Sequence, residues 1–426
     1  MLSSDQKLQA INAPTTKAQS GGSADIILRA NALHYHMPKN LSVVESQAQC
    51  VYRSDSQKAN SGQILRVTFQ SGAAFVNSKD SYAKFKFKAT LGDASAKIST
   101  PHIGALACFN SVRMLSRAGT EIYRVTDWGL FLTKWLVHTR SDNWWTQVAP
   151  SFHGMYPKDG KVTLSHDTEY AAAFPLELLY GPFQDINKLI PSHLISGATL
   201  EFQINDAVSA FVYDKDPGAS YITVSDLEVI ASLCTLSESA ERALDRAAST
   251  NGLETCFSGI ATSTTSTTNN FNEIHIQKAC SRASFLFSCV RPTSSLIAYD
   301  KDAYDSLIVG GKAPYTRTQV RHGSQYQPTQ AASVDAPQLI HLFNSLQFSH
   351  VNAAKKVDDY ANSIVSQSLE RSPLLKYSGV SSNNSRQISH LFEGNFATTA
   401  GGCTVTSFLI YDVLARTSLE HTVISE

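Results

Sequence analysis

Residues 221–244 read YITVSDLEVIASLCTLSESAERAL, and this stretch decides the architecture. Its first half alternates. Leu227, Val229, Ala231 and Leu233 fall at every second position, the period of a strand with one buried face. The parity of the apolar set changes near Ser225–Asp226, which predicts a β-bulge. From Ser237 the period becomes helical: Ser237 stands at an N-cap position, and Leu236, Ala240, Ala243 or Leu244, and Ala247 share one side. A long strand running into a short helix near the middle of a 426-residue chain predicts a boundary there. The length also suits two cores better than one.

Outward from that boundary, strand signals recur on both sides. Leu200, Phe202 and Ile204 alternate with Glu201, Gln203 and Asn205, and Leu65, Val67 and Phe69 alternate with Arg66 and Thr68. Phe202, Ile204, Leu227 and Val229 are therefore expected in one core. Over 82–90, Ala83, Phe85, Phe87 and Ala89 oppose Lys84, Lys86 and Lys88. That lysine row reads either as a site for an anionic partner or as a solvated face that blocks edge pairing. In the second half, Ala283–Val290 and Val405–Leu414 are nearly unbroken apolar runs, as expected of strands buried on both faces. Short strands separated by Gly, Asn and Pro breaks describe an all-β sandwich chain. Two further helices are expected. One is Asp127–His138, with Trp128, Phe131, Leu132 and Trp135 at helical spacing and Thr126 or Asp127 as cap. The other is Asn352–Arg371, with Val357, Tyr360, Ala361 and Ile364 on one face. Thr262–Asn270 and Lys312–Pro337 read as long polar surface loops, and residues 1–40 as a polar arm.

Composition narrows the function. Hydrophobic residues make up 42% and charged residues 17%, the latter low against a usual value of about 25%. Lys plus Arg and Asp plus Glu both count 36. A zero formal charge argues against a surface built to grip nucleic acid, so no sequence-specific nucleic-acid binding is expected. The seven cysteines include no CxxC pair, and His102 and His275 each stand alone, so the cysteines read as free thiols of a reducing compartment. The N-terminus lacks an apolar signal region and no 18-residue apolar stretch occurs. Synthesis in the cytoplasm without a signal peptide is the expectation.

Catalytic motifs are missing. The sequence contains no GxSxG, HExxH, Walker A, GxGxxG or EF-hand pattern. His34 and His36 share a strand face but have no third ligand nearby, and Asp358 and Asp359 are adjacent on a helix and point apart. No catalytic residue, cofactor or metal site is therefore expected. The four tryptophans, Trp128, Trp135, Trp144 and Trp145, fall close together. They read as a carbohydrate-stacking platform, as a helix packed on a sheet end, or as part of a subunit interface.

Three stretches resemble the double jelly-roll major capsid proteins of virophages, polinton-like viruses and related DNA viruses. CFNSVRMLSRAGTEIYRVTDWGLFLTKW (108–135) has that family's order of strand, Ser-Gly turn, acidic residue and short helix. FPLELLYGPFQDINKLIPSHLISGATLEFQINDAVSAF (174–211) is similar to its Phe-Pro-Leu entry and Leu-Ile-Pro turn before an alternating strand. Residues 221–244 look like the last strand of its first roll entering the linker helix, and IQKACSRASFLFSCV (276–290) is a weaker match. The resemblance implies two tandem jelly-roll β-sandwich domains with short helical insertions. The arm would span 1–40, the first roll 41–236, the linker helix 237–251 and the second roll 252–426.

It further implies a non-enzymatic major capsid protein of an icosahedral DNA virus, located in the virion. The partners implied are two further copies in a pseudo-hexagonal homotrimer, neighbouring capsomers, and penton and minor capsid proteins. An internal membrane or the genome would be reached through the arm. Trp128, Trp135, Tyr315, Arg317, Arg321 and Tyr326 are the expected subunit-interface residues. Deletion of 314–334 is expected to leave both sandwiches folded. The alternative function is a jelly-roll carbohydrate-binding protein or glycan-active enzyme using the Trp128–Trp145 cluster.

Overall fold

A computed structural model of the chain describes residues 44–141, 143–151, 162–250, 252–296, 302–307, 315–333, 364–371, 378–383, 387–394, 396, 402–417 and 422–425. The arm at 1–40, with His34 and His36, and residues 352–363 of the third expected helix lie outside them. In the first half the strands are β1 (Val44–Arg53), β2 (Lys58–Asn60), β3 (Ile64–Thr68), β4 (Phe75–Thr90), β5 (Ile98–Ser99), β6 (Phe109–Leu115), β7 (Glu121–Val125), β8 (Thr163–Leu164), β9 (Glu169–Pro175), β10 (Leu189–Ile190), β11 (Thr199–Ile204), β12 (Val212–Tyr213) and β13 (Tyr221–Leu236). The second half contains β14 (Leu253–Thr267), β15 (Phe271–Ile276), β16 (Ala283–Pro292), β17 (Tyr315–His322), β18 (Gln325–Ser333), β19 (Val365–Ser368), β20 (Ile388–Gly394), β21 (Cys403–Thr417) and β22 (Thr422–Ser425). Among the described residues the long helices are α1 (Trp128–Thr139) and α2 (Glu238–Thr250).

Strand order reveals a duplication that no sequence repeat announces. The first half forms a sheet β1-β13-β4-β9 and a second sheet β3-β11-β6-β7, and the second half forms β14-β21-β16-β19 and β15-β20-β17-β18. When the eight principal strands of each half are lettered B to I in chain order, both halves read B-I-D-G and C-H-E-F. That arrangement of two four-stranded antiparallel layers is the jelly roll. Among the described residues, no strand of one half pairs with a strand of the other.

Alternation positions the first core as expected. Phe202, Ile204, Leu227 and Val229 are all buried, and the rings of Phe85, Phe109 and Phe202 form a chain with centroids 4.9 and 5.3 Å apart. The bulge also falls where the parity change predicts it. The β13 register shifts between Ser225 and Glu228, and Asp226 has φ 51°. Following β13, α2 lays Ala240 and Leu244 against a small cluster of Phe75, Cys234 and Leu236.

Several expectations from composition are corrected by pairing. Thr262–Thr267 is not loop but the end of β14, in register with Phe408 to Cys403 of β21. Thr264 and Ser266 meet Thr406 and Thr404 side chain to side chain. Threonine is a good strand residue on a half-wet surface, so a polar run there reads falsely as loop. Tyr315–Ser333, within the second expected loop, is the hairpin of β17 and β18. β17 lies inside its sheet between β20 and β18, and Tyr315 and Val320 are buried. Deletion of 314–334 thus removes two sheet strands and does not leave the second sandwich intact. Val365–Ser368, expected as helix, is a strand paired with Phe285–Ser288. At α1, Asp127 occupies the cap position in a left-handed conformation and makes no side-chain cap bond. Finally, β4 lies between β13 and β9, so its lysines do not guard an edge.

Candidate functional site

The densest side-chain chemistry lies where the two rolls meet. α1 leaves the end of β7 and carries Trp128, Leu130, Phe131, Leu132, Trp135 and Leu136, all buried. A helix apolar on every side has to be covered on every side. Its own roll covers one side: Trp128 packs 5.6 Å from Phe174, and its Nε1–H donates to the Leu178 carbonyl at 3.1 Å. The second roll covers the other. Phe131 lies 5.5 Å from Phe408, and Trp135 stacks on Phe287 at 5.7 Å and 24° while meeting Phe285 edge-on at 5.7 Å. Phe285 and Phe287 thus face α1, whereas Ser288, the next residue of the strand, reaches His390 inside the second roll at 2.6 Å. Both faces of β16 are buried, as its unbroken apolar run predicts.

Polar groups lock the same seam. Thr262 donates to the Thr126 carbonyl at 3.2 Å. A Cβ at Gly129 would stand 2.9 Å from the Tyr304 hydroxyl, so a larger residue would require that ring to shift. On the second roll's side of the seam, the buried Arg291 donates to the Ala303 carbonyl at 3.0 Å and to Thr406 Oγ1 at 3.1 Å, both within that roll. Lys134 is fully buried. Burial pushes its ammonium below the ordinary lysine range, against the opposing fields of Cys289, Asp305 and Asp302. The two rolls therefore pack as one compact unit.

The outward faces carry ladders of charge. Lys84, Lys86 and Lys88 bond Glu228, Asp226 and Asp167 at 2.8, 2.9 and 2.9 Å, so the lysine row is spent within the chain. On the other sheet of the first roll, Glu201 takes Arg66 at 2.8 Å and Arg113 at 2.7 Å. Burial pushes the Glu201 carboxyl up, but the hydrogen bonds from both arginines outweigh it and hold the group below its ordinary value. These ladders pair the named charges within the chain.

The six expected interface residues divide into two groups. Trp128, Trp135 and Tyr315 are buried inside the chain. Trp128 and Trp135 belong to the packing around the seam, and the Tyr315 hydroxyl accepts from the Val290 amide at 3.2 Å. Their side chains have no surface left for another subunit, which corrects that expectation. Arg317, Arg321 and Tyr326 lie together on the outward face of β17–β18, where Arg317 stands 3.9 Å from Glu393, Arg321 pairs with Glu273, and Tyr326 is exposed. Sequence reading passed over Val51, Tyr82 and Phe271, which are exposed apolar residues at outward strand positions. Their signal was parity: each stands on the face opposite the buried set.

The tryptophans form no sugar platform. Trp145 is buried with Trp144 packed at 90° against it, and Arg140 covers the Trp144 ring at 5.4 Å. Concavities of about 540 and 820 Å³ flank the seam. In the larger one Asp412 is pushed up to about 6 by burial and by Glu370, against Arg282. Among the described residues no group of three or more His, Cys, Asp or Glu converges as a metal site. Ser288, His390 and Ser407 make a hydroxyl–imidazole chain, but all three are fully buried, out of reach of any substrate.

The architecture is that of a double jelly roll, two B-I-D-G/C-H-E-F sandwiches sealed side by side. No family model matches the sequence, and no curated protein does. Solved structures match in fold. The Faustovirus major capsid protein aligns with a TM-score of 0.63 at 10% identity, over 97% of this chain and 96% of its own. A chain of the cryo-EM structure of the Sputnik virophage aligns at 0.61 and 9% identity, over 97% and 93%. The mavirus major capsid protein aligns at 0.53 and 10%, over 97% of both chains. The likeness therefore takes in nearly the whole of each chain.

Proposed function

We propose that this chain is the major capsid protein of an icosahedral DNA virus and assembles as a homotrimer with a pseudo-hexagonal outline. The observation that carries the reading is the pair of topologically equivalent rolls packed on either side of α1. A subunit with two equivalent halves needs only a threefold to present six similar units, and such a ring tiles a lattice. The matched structures include proteins titled as major capsid proteins, which supports this role over a sugar-binding one. The division into an arm at 1–40, rolls at 41–236 and 252–426 and a linker at 237–251 belongs to this proposal, as does residence in the virion. Function resides in surfaces rather than in a catalytic pocket. The arm contacts neighbouring capsomers, minor proteins or the virion interior.

Native mass spectrometry of the full chain tests the proposal. The expected species is a trimer whose subunit contacts bury about 2,000 Å² or more per pair, with larger assemblies at higher concentration. A monomer at micromolar concentration with measurable affinity for oligosaccharides would refute it.

A further inference from the structure

The face of the second roll's B-I-D-G sheet that meets α1 changes character along β21. Phe408, Ile410 and Asp412 stand at alternate positions of that strand and so share one face. Phe131 closes over Phe408. In the next row, Ile260–Ile410–Phe285, Trp135 packs on Phe285. One row further, Ser258 pairs with Asp412. Here a cleft of about 820 Å³ lies between this sheet and the first roll's segment 180–191. Its lining combines the apolar Trp135, Phe285, Ile260 and Ile410 with the acids Asp412 and Glu370. The charges at its rim are answered within the chain: Lys188 pairs with Asp185 at 3.3 Å, and Arg416 bonds Glu254 at 3.1 Å. Glu370 is 9% exposed and accepts the Ser378 hydroxyl. Asp412 differs. Among the described residues no hydrogen bond reaches its Oδ2, although that oxygen is withdrawn from solvent. Arg282, on the exposed turn before β16, acts on Asp412 through its field. A buried carboxylate oxygen without a partner costs stability, and a second carboxyl beside it adds repulsion.

We propose that this cleft binds a small organic ammonium ion, an alkylamine or arylalkylamine, with its cation on Asp412 and Glu370 and its apolar body against Trp135, Phe285 and Ile410. The chemistry selects this class. Two carboxyls in an apolar-walled cleft attract a cation, and an ammonium brings up to three N–H donors to oxygens that only accept. The apolar walls favour a cation that carries a hydrocarbon body over a bare, hydrated ion. A hard metal ion fits less well, since it takes six or more oxygens and no group of three candidate ligands converges among the described residues. The volume lies within the usual span of small-molecule sites, about 300–1,000 Å³. Since the cleft is walled by both rolls, an amine held there touches both and stabilises their packing by mass action. The site is independent of the capsid reading and of any contact between copies.

The test titrates phenylethylammonium chloride into the full chain near pH 7 by calorimetry. Phenylethanol and phenylacetate serve as neutral and anionic controls with a similar body. The amine should bind saturably, and both controls at least about tenfold more weakly. Asp412→Asn keeps the shape of the side chain and removes its charge. Its near-UV circular dichroism should match the wild type, and its affinity for the amine should fall about tenfold or more. Glu370→Gln should weaken binding in the same direction. Wild-type affinity should also drop about tenfold from pH 7 to pH 5, because Asp412 takes up a proton near pH 6 while the ammonium stays charged. Hydrogen exchange locates the ligand: peptides covering 184–190 and 408–412 should exchange more slowly with the amine present. No saturable binding, equal binding of phenylethanol, or an affinity untouched by Asp412→Asn would overturn the site. So would slowed exchange confined to other segments, which would place the amine elsewhere.

Discussion

Truncation of Trp135 to alanine separates packing within each roll from packing between them. The side chain sits on a helix of the first roll, yet Phe285 and Phe287, on which it packs, belong to the second. Phe131, at 5.9 Å on the same helix, is a further aromatic neighbour. A buried tryptophan replaced by alanine costs about 3–5 kcal/mol through lost transfer energy and the cavity left behind. Of this, the two cross-roll aromatic contacts account for about 1–3 kcal/mol, taking about 0.5–1.5 kcal/mol for each. Set against a domain stability of about 5–15 kcal/mol, a loss of that size is enough to uncouple two otherwise intact cores. The wild type should therefore unfold in one calorimetric transition, and Trp135→Ala in two, with the first at a lower temperature. Urea titration at fixed protein concentration supplies the free-energy change. A cost below about 1 kcal/mol, with a single transition retained, would show that α1 does not couple the rolls.

Two further outcomes follow from the same packing. Phe202→Ala should cost about 3–5 kcal/mol in urea titration, since the ring is fully buried between Phe109 and Phe174; a change under about 1 kcal/mol would mean that the strand faces are misassigned. Asp412 has its folded pKa raised to about 6 from 3.8, so its contribution is fully present below pH 4 and lost as pH rises through about 6. Asp412→Asn should flatten that part of the stability profile and be more stable than the wild type above pH 6, as read by thermal melts across pH 4–8; an unchanged slope would show that the carboxyl is solvated.

Much of the fold was legible in the sequence because strand burial is a local, period-two signal. Leu200, Phe202 and Ile204, the set at Leu227 to Leu233, the bulge at Asp226 and the two-sided burial of 283–290 all follow from parity and run length. The helix at 238–250 was equally plain, since a change of period needs no partner to be seen. Thr262–Thr267 and Tyr315–Ser333 were misread for the converse reason. Their composition is that of loops, and only pairing with β21, β20 and each other makes them strands. Edge and centre positions are likewise invisible along a chain, so the lysines of β4 gave no hint that Glu228, Asp226 and Asp167 would neutralise them.

By itself, then, the sequence determined which residues alternate, where the period changes, and that no catalytic motif is present. Tertiary structure alone decided which face each apolar residue meets. Burial states that a side chain has left water, but not whose atoms replaced it. Trp128 and Trp135 are apolar enough for a subunit contact and are instead spent inside the chain, because α1 is followed in space by the second roll's sheet. Val51 and Tyr82, scattered among charged neighbours, became a single row only when β1, β13 and β4 were set in register. The equivalence of the two rolls, unseen in any repeat of residues, exists in strand order, a property that forms only when distant segments pair.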